Sequence, residues 1–404
     1  MILPDDSMNA TERVEATINF QEPDRVPTYI MGIPPYSRCY KEYVEKEDEL
    51  FGEGGWGDND ENILLTPLGD YTMKYYFGAD VEMLGIGIHT DFSKKVLDED
   101  DNIIEDTSIE KELEKKDVVR YVDYFGKING VKRLPSGERY NWYLEGYLKK
   151  KEDILDWYET YGWCADKNTS TAQVDAYKRF KKEFGDRLYL IPQIGGVQLY
   201  ESLWVIMGQA RFAYYCRKDP DLIKKLINDR KQAQLNILDE LKKYDPMVVF
   251  GGDDMGQKGR PLLSPRMYKK FFKEPYSEIF NKVHNELGAK IFNHSCGNIE
   301  DLLPDAIEAG LDGWQSLEPA SLIDHRRVKQ KYPNFILCGG LDSREISFGT
   351  EESIQKHVKE QIMKMGGGGG YICGPTHDFL TETPLDNCLA MRDAIQECGH
   401  YPLN

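Results

Sequence analysis

The chain lacks the long apolar runs and basic patches that mark membrane-spanning and nucleic-acid-binding proteins. No apolar run among its 404 residues reaches the roughly 18 residues that a membrane-spanning helix needs. The first 25 residues carry Asp and Glu and are not typical of a signal peptide. Lys and Arg form only short runs, and the net charge is −18, whereas binding to nucleic acid or an anionic membrane needs clustered cations. These absences predict a cytoplasmic protein that binds neither nucleic acid nor membrane.

The sequence also lacks the cysteine spacing of a disulfide framework. Its cysteines are scattered and lie mostly inside apolar runs, at positions 39, 164, 216, 296, 338, 373, 388 and 398. Unpaired thiols of this kind suit a reducing compartment. With 40% hydrophobic residues, the chain can fill a large core. Its length suits one α/β barrel that carries insertions, so we expect a single domain over residues 1–404.

Short β-type runs recur along the chain, and most of them end in polar or Gly-rich residues before a helical pattern. They span residues 25–33, 79–88, 187–196, 246–254, 289–297, 310–318, 334–342 and 369–378. The expected helices cover 8–18, 265–287, 299–309, 351–365 and 385–398, with helix-start signals at Ser264-Pro265 and at Thr350. Eight strands that alternate with helices predict an α/β fold, a (β/α)8 TIM barrel preceded by an N-terminal helical segment.

The alternation breaks off after the second strand, between residues 89 and 186. This segment has turn signals at Asn129-Gly130 and at 135–137 between aromatic-rich runs, and a helical pattern over 150–183. We expect it to be a large insertion that roofs the barrel mouth. A smaller irregular insertion, residues 34–78, follows the first strand.

Polar side chains gather where the predicted strands end, which is the face of a barrel that carries function. His294 and Cys296 are two residues apart at the end of the fifth strand, so the strand pleat directs both side chains to one side. An imidazole and a thiolate suit Zn²⁺, whose catalytic sites use about three protein ligands. A third ligand must come from another strand end, and the eighth strand offers Cys373 and His377. The competing interpretation is that each Cys is a buried packing residue.

Several separated motifs resemble the uroporphyrinogen decarboxylase superfamily. They are "DRVPTYIMG" at 24–32, "HSCGN" after the fifth strand, "CGGLDS" two strands later and "GGYICGPTHDFLTETPLDN" near the end. The resemblance is clearest over residues 247–398. It implies one of two chemistries: metal-free decarboxylation of uroporphyrinogen, or zinc-dependent methyl transfer in partnership with corrinoid proteins.

The segment after the first strand favours the methyltransferase branch. The decarboxylases carry an arginine-bearing motif there, which binds the many carboxylates of their substrate. This chain reads "YIMGIPPYSR", with Gly32 where the first arginine would fall and only Arg38 nearby. A rim with so little Arg is poorly suited to a polycarboxylate.

The resemblance implies His294 and Cys296 as zinc ligands together with a later residue. Sequence separation from Cys296 points to Cys373, whereas a gap-free alignment of the last motif places the family's late cysteine at His377. We favour His377 and keep Cys373 as the alternative. A ligand set with one thiolate fewer would make zinc a stronger Lewis acid, which suits an ether or alcohol oxygen.

The resemblance therefore implies a methyltransferase that moves a methyl group between a small methylated substrate and the cobalt of a corrinoid carried by a partner protein. The aromatic residues of the insertion and of segment 32–40 favour a methoxylated aromatic substrate, and hence O-demethylation. Rival hypotheses are a metal-free decarboxylase and a non-catalytic protein that binds a methylated ligand. Whether the chain forms a homodimer stays open.

We assign provisional roles to the other polar residues of the rim. Asp253, Asp254 and Glu318 are the candidate catalytic acids or ligand-orienting groups. For contact with the substrate we expect Gln193, Tyr29, Met31 and Asp342. The alternative for each carboxylate is a helix cap or a salt bridge at the rim.

Overall fold

The computed structural model describes residues 6–34, 37–51, 71–86, 94–123, 126–134, 139–161, 187–194 and 198–403, together with 175, 177–179, 181–182 and 185. Within this part of the chain the strands are β1 Val81–Ile86, β2 Lys95–Leu97, β3 Val118–Val122, β4 Lys127–Arg133, β5 Arg139–Gly146, β6 Tyr189–Ile194, β7 Val248–Gly252, β8 Gly256–Gln257, β9 Arg260–Pro261, β10 Lys290–His294, β11 Gly313–Ser316, β12 Ile336–Leu341 and β13 Tyr371–Pro375.

A parallel sheet closes on itself to form the barrel. Its strands are hydrogen-bonded in the order β1-β6-β7-β10-β11-β12-β13. Thr28 and Tyr29 take the eighth position, because Thr28 bridges in parallel to Cys373 of β13 and Tyr29 to Val81 of β1. The Tyr29 backbone N–H donates to the Cys373 carbonyl at 2.8 Å. The predicted (β/α)8 barrel is therefore confirmed, with its strands in the predicted order.

Apolar side chains fill both faces of the sheet, as in other parallel sheets that helices cover. One cluster fills the barrel interior and includes Phe250 of β7, Phe292 of β10 and Ile372 of β13. The alternate residues of the same strands, such as Ile291 and Cys373, belong to a second cluster between the sheet and the helices. Because side chains alternate along a strand, the strand residues of the first cluster face the barrel axis and those of the second face the helices.

Helices surround the sheet. They are α1 Ala10–Ile18, α2 Arg38–Phe51, α3 Tyr71–Tyr76, α4 Ile109–Leu113, α5 Lys151–Tyr161, α6 Glu201–Met207, α7 Gln209–Lys218, α8 Pro220–Leu241, α9 Pro265–Phe271, α10 Lys273–Lys282, α11 Leu303–Glu308, α12 His325–Lys331, α13 Ser343–Phe348, α14 Glu351–Met365 and α15 Leu385–Cys398. Predicted caps are present at Ser264 and Thr350, whose side chains accept from the backbone N–H of Met267 and Ser353.

Two helix predictions need correction. The helix predicted over 265–287 is divided into α9, α10 and a π-helical turn at Val283–Leu287. The helix predicted over 299–309 begins later, at Leu303, where Pro304 lies in its first turn.

Helix α1 closes the amino end of the barrel. Val14 and Ile18 on one face of α1 pack into the interior cluster. The Arg13 guanidinium lies 2.6 Å from the carboxylate of Asp80, the residue that precedes β1. The N-terminal helical segment thus supports the end of the barrel opposite the predicted functional rim.

The insertion after β1 contains an antiparallel sheet in the order β2-β3-β4-β5. The turn predicted at Asn129-Gly130 is wrong, because both residues lie within β4. A Cβ atom at Gly130 would come within 2.5 Å of the Trp142 ring on β5, so glycine serves close packing there. The turn predicted at 135–137 falls between the paired strands β4 and β5, on residues outside those described.

The insertion sheet contacts helix α6, which follows β6. The Leu148 backbone N–H donates to the Ile206 carbonyl at 2.9 Å, and Lys127 Nζ lies 3.8 Å from Glu201 Oε1. That the whole segment 89–186 roofs the mouth stays a prediction. Among the described residues, no helix combines the length and apolar character that crossing a membrane requires.

Candidate metal centre

Three potential ligand atoms converge at the carboxyl ends of β7 and β10. These strands pair in parallel with Gly252 opposite His294, which brings Asp254, His294 and Cys296 to one point of the rim. His294 Nε2 lies 3.2 Å from Cys296 Sγ and 3.2 Å from Asp254 Oδ1. All three ligand atoms lie within 4.8 Å of one another. A metal ion that takes nitrogen, sulfur and oxygen ligands fits this donor set.

The His294 ring is oriented for metal binding by a neighbouring amide. Its Nδ1 is hydrogen-bonded to Gln315 Oε1 on β11, and Gln315 Nε2 donates to the Thr376 carbonyl at 3.3 Å. With its amide nitrogen occupied in this way, Gln315 presents an acceptor, so Nδ1 carries the proton. In the neutral ring, the form that binds a metal, the lone pair on Nε2 is then available, which is the usual arrangement of a ligating histidine.

Backbone hydrogen bonds fix the loop that carries Cys296. Asp254 Oδ1 accepts from the Cys296 N–H at 2.8 Å. Glu318 Oε2 accepts from the Gly297 N–H at 2.9 Å and from the Ser321 hydroxyl at 2.7 Å. Gly297 has φ +73°, a conformation that favours glycine. Glu318 therefore positions the loop behind the cysteine.

The three groups perturb one another electrostatically. Burial opposes a charge on His294, but the neighbouring Cys296 and Asp254 outweigh burial and raise the His294 pKa well above its usual value. Burial favours the neutral form of Asp254, yet His294 and the N–H of Cys296 hold the Asp254 pKa well below its usual value. Burial raises the pKa of the Cys296 thiol. A divalent cation would favour the thiolate and relieve this clustering of charge.

Asp253, although adjacent to Asp254 in sequence, has a different environment. Its fully buried carboxylate accepts from the backbone N–H groups of Leu199 at 3.0 Å and Tyr200 at 2.7 Å, and also from the Tyr276 hydroxyl. Burial raises the pKa of Asp253 to about 6. These bonds hold the start of α6, so the structure places Asp253 in the protein interior rather than among the converging ligand atoms.

Glu201, at the start of α6, is a site residue that the sequence did not reveal. Its Oε2 accepts from the Asp254 N–H at 3.3 Å. Burial, and next the negative charge of Asp254, raise the pKa of Glu201 to about 7. A carboxyl group with such a pKa can hold or release a proton near neutral pH. Gln315 was also missed, although a polar residue at the end of a buried strand was a usable signal.

The two candidates for a third ligand near the eighth barrel strand have different environments, since Cys373 lies within β13 and His377 follows it. Cys373 is fully buried in the cluster that faces the helices, away from His294. The His377 side chain is 51% exposed, and its ring centroid lies 6.2 Å from that of His294. His377 Nδ1 accepts from the Asp378 N–H at 2.8 Å, which leaves the proton on Nε2 in the neutral ring. His377 would have to give up this bond or turn its ring to bind a metal.

The predicted substrate contacts are scattered. Tyr29 lies in the barrel interior, and the backbone carbonyl of Met31 accepts from Lys74 Nζ at 3.1 Å. Gln193 lies in β6, half-buried. Asp342 caps α13, accepting from the Arg344 N–H at 2.9 Å, and forms an ion pair with the Arg344 guanidinium. A helix cap is thus the observed environment of Asp342.

The chain is similar to one known family and to several solved structures. The uroporphyrinogen decarboxylase (URO-D) family matches residues 161–398. The chain superimposes on a methyltransferase from Methanosarcina mazei with a TM-score of 0.62 at 15% identity, covering 97% of this chain and 99% of that one. An N-acetylneuraminate lyase from Mycoplasma synoviae gives a TM-score of 0.28 at 10% identity, covering 57% and 61% of the two chains. The comparison with curated proteins gave no match.

Proposed function

The chain belongs to the uroporphyrinogen decarboxylase family, and on this premise we propose that it is a zinc-dependent methyltransferase. The reaction we infer moves a methyl group between a small methylated substrate and the cobalt of a corrinoid that a partner protein carries. The observation that supports this most is the convergence of Asp254, His294 and Cys296, with the proton of His294 directed away from the other two. A family member that decarboxylates without metal has no need of this arrangement.

The environment of Gly32 argues against a polycarboxylate substrate. A Cβ atom at Gly32 would come within 2.5 Å of Asp378 Oδ1, so a carboxylate occupies the space beside the position at which the decarboxylases carry arginine. A negative charge here repels the groups that an arginine would attract. The Asp378 carboxylate beside the position of that arginine therefore supports the methyltransferase hypothesis.

We assign the metal to His294 and Cys296, with Asp254 as the third donor and His377 as the alternative. A bound Zn²⁺ would supply Lewis-acid chemistry to the atom that carries the methyl group. Glu318 and Gln315 hold the ligands in place through the Gly297 N–H and His294 Nδ1. Glu201, whose Oε2 accepts from the Asp254 N–H at 3.3 Å, is the candidate we propose for exchanging a proton with the leaving oxygen.

A methoxylated aromatic compound is the substrate class we propose. The support for this class is the aromatic content of the insertion and of segment 32–40, which offers ring faces against which an aromatic substrate can pack. The corrinoid belongs to the partner, because the sequence has no His-bearing corrinoid-binding pattern.

The test begins with metal analysis of the purified protein, followed by a spectral assay for methyl-Co(III) formation. The assay supplies Co(I) corrinoid protein and a panel of methyl ethers, methylamines and methyl thioethers. We expect one zinc per chain and methylation of cobalt by an aryl methyl ether. Turnover of uroporphyrinogen by metal-free protein would overturn the proposal.

Zinc content of two variants distinguishes the candidate third ligands. We expect Asp254→Asn to lose most of the zinc and His377→Ala to keep it, because Asp254 Oδ1 already lies 3.2 Å from His294 Nε2. The opposite result would assign the position to His377. Loss of zinc from Cys373→Ser alone would contradict both assignments, since Cys373 faces the helices.

A further inference from the structure

Four buried hydroxyl groups lie behind the amide that orients His294. They belong to Ser343 and Ser347 of α13 and to Thr376 and Thr383 of the segment that follows β13. Ser343 and Ser347 are four residues apart, so they lie on the same side of the helix. A buried hydroxyl costs free energy unless it is hydrogen-bonded, so side chains between packed elements are usually apolar. These four groups form a hydroxyl cluster where apolar packing would be the simpler arrangement.

The hydroxyl cluster is joined by hydrogen bonds from end to end. Thr376 Oγ1 lies 3.2 Å from Ser343 Oγ, and Ser347 Oγ lies 2.6 Å from Thr383 Oγ1. Ser347 donates its proton to the Ser343 carbonyl at 2.7 Å, so Thr383 must be the donor in its bond with Ser347. Each hydroxyl thus has a partner. A buried network in which every member is satisfied specifies one arrangement of its side chains.

The hydroxyl cluster holds the residue whose carbonyl faces the candidate metal centre. The Thr376 backbone N–H donates to the Leu341 carbonyl at 2.9 Å, and the Thr376 side chain is held by Ser343. Because both the backbone N–H and the side chain are held, the direction of the Thr376 carbonyl is set. That carbonyl accepts from Gln315 Nε2 at 3.3 Å. The hydroxyl cluster therefore reaches the metal centre through one backbone carbonyl.

The Thr376 carbonyl decides which end of the Gln315 amide faces His294. The oxygen and the nitrogen of a glutamine amide have nearly the same shape, so packing alone does not distinguish them. A backbone carbonyl only accepts hydrogen bonds, so it selects the orientation in which Nε2 points to Thr376 and Oε1 to His294 Nδ1. In the reverse orientation the amide would donate to Nδ1. The neutral His294 ring would then carry its proton on Nε2, the atom that a metal must bind.

We propose that Thr376 is a positioning residue of the metal centre. Its carbonyl sets the orientation of the Gln315 amide, and the hydroxyl cluster holds that carbonyl in place. This inference rests on the proposed zinc site and adds to it residues that are not themselves proposed ligands. The competing interpretation is that the hydroxyl cluster only attaches the segment after β13 to α13. The two interpretations differ in zinc affinity, because attachment alone affects folding stability and not the orientation of the Gln315 amide.

Removal of the Thr376 hydroxyl tests the proposal. Thr376→Val keeps the branched shape of the side chain, and competition with a chelator measures its zinc affinity. We expect this affinity to fall about 3-fold to 10-fold, less than on loss of a direct partner of the ligating histidine. Thr376→Ser keeps a hydroxyl and should restore most of the affinity.

Thr17→Val is the matched control. Thr17 is a fully buried threonine of α1, and its Oγ1 donates to the Arg13 carbonyl at 2.9 Å at the other end of the barrel. This variant should lower the free energy of unfolding but keep the wild-type zinc affinity. An equal loss of zinc affinity in Thr17→Val and Thr376→Val would indicate general destabilisation and would overturn the positioning role.

A double-variant cycle shows whether Thr376 acts through Gln315. In a Gln315→Leu background we expect Thr376→Val to cause no further loss of zinc affinity, because the amide that Thr376 orients is gone. Losses that multiply in the double variant would contradict the proposal. Ser343→Ala removes the same hydroxyl contact from its other side, and it provides the same measurements if Thr376→Val does not fold.

The zinc affinity of the wild type separates this inference from the proposed function. If the wild type binds zinc, and Thr376→Val and Ser343→Ala bind it equally tightly, the positioning role is overturned while the metal centre stands. If the wild type binds no zinc, the proposed function fails and this inference fails with it.

Discussion

The two ends of the barrel treat buried charge in opposite ways. At the amino end, Arg13 and Arg25 are enclosed with Asp6, Asp24 and Asp80, and the nitrogen–oxygen distances of the ion pairs run from 2.6 to 3.1 Å. Side chains of this group are at most 6% exposed. Every charge there has a partner of opposite sign within the chain.

At the mouth the pairing is incomplete. Asp254 and Cys296 both lie against the one imidazole of His294, and Asp378 Oδ1 is buried without a hydrogen bond from the described residues. A fully paired network stabilises the native state and leaves nothing for a ligand to bind. Groups that are buried without a partner lower stability unless a ligand, an ion or a water molecule completes them. The paired charges of the amino end stabilise the fold, whereas the mouth holds the groups that we propose bind a metal ion.

Removal of the central imidazole should have the largest effect. We expect His294→Ala to lose bound zinc and to slow methyl transfer by at least about 10³-fold, because Lewis-acid stabilisation of the transition state amounts to several kcal/mol. Zinc analysis and the methyl-Co(III) assay measure both effects. The control is His284→Ala, which removes a histidine paired with Asp312 outside the mouth and should keep zinc and activity.

Breaking the network at the amino end should affect stability alone. Arg13→Met leaves the Asp24 and Asp80 carboxylates without one cationic partner, and we expect a loss of about 3–5 kcal/mol in the free energy of unfolding. Urea denaturation measures the loss, and zinc content at low urea should equal that of the wild type. A loss below about 1 kcal/mol, or a selective loss of zinc, would contradict the division of labour between the two ends.

The amide behind His294 should have an intermediate effect. Gln315→Leu removes the acceptor on Nδ1, so we expect zinc affinity to fall about 10–100-fold, the usual range for such a partner. Competition with a chelator measures the affinity. Gln361→Leu is a matched control, because Gln361 Oε1 bonds His325 Nδ1 at 2.8 Å elsewhere in the fold. Equal effects of the two variants on zinc would indicate general destabilisation.

The barrel could be predicted from sequence because its strands are buried on both faces and thus appear as apolar runs. β7, for example, is "VVFGG" with every residue buried. His294 is the last residue of β10, whereas Cys296 lies in the loop that follows, so the two-residue period of a strand does not by itself account for their convergence. The turn prediction at Asn129-Gly130 was wrong because Gly130 is needed for close packing against Trp142. The sequence around Gly130 does not reveal this contact.

Other features of the site depend on contacts between distant segments. Gln315 lies 21 residues from His294, and Asp378 contacts Gly32 from the other end of the chain. Asp253 and Asp254 are neighbours in sequence, yet one caps α6 and the other joins the ligand cluster. Only the three-dimensional register of β7, β10 and β11 separates these roles.

The smallest of the predicted effects should be the loss of folding stability on acidification, which depends on the charge network at the amino end. Burial by itself raises the pKa of Asp24, but hydrogen bonds from Arg13 and from the Met8 and Arg25 N–H groups lower it to about 2, from 3.8. A lowered pKa in the folded state means that the stabilisation is present above about pH 4 and is lost as the pH falls through about 2. Urea denaturation at pH 6, 4 and 3 should show the advantage of the wild type over Asp24→Asn shrinking at low pH. An advantage that stays constant across this range would mean that Asp24 contributes through shape rather than charge. The amino end would then differ from the mouth in packing and not in electrostatics.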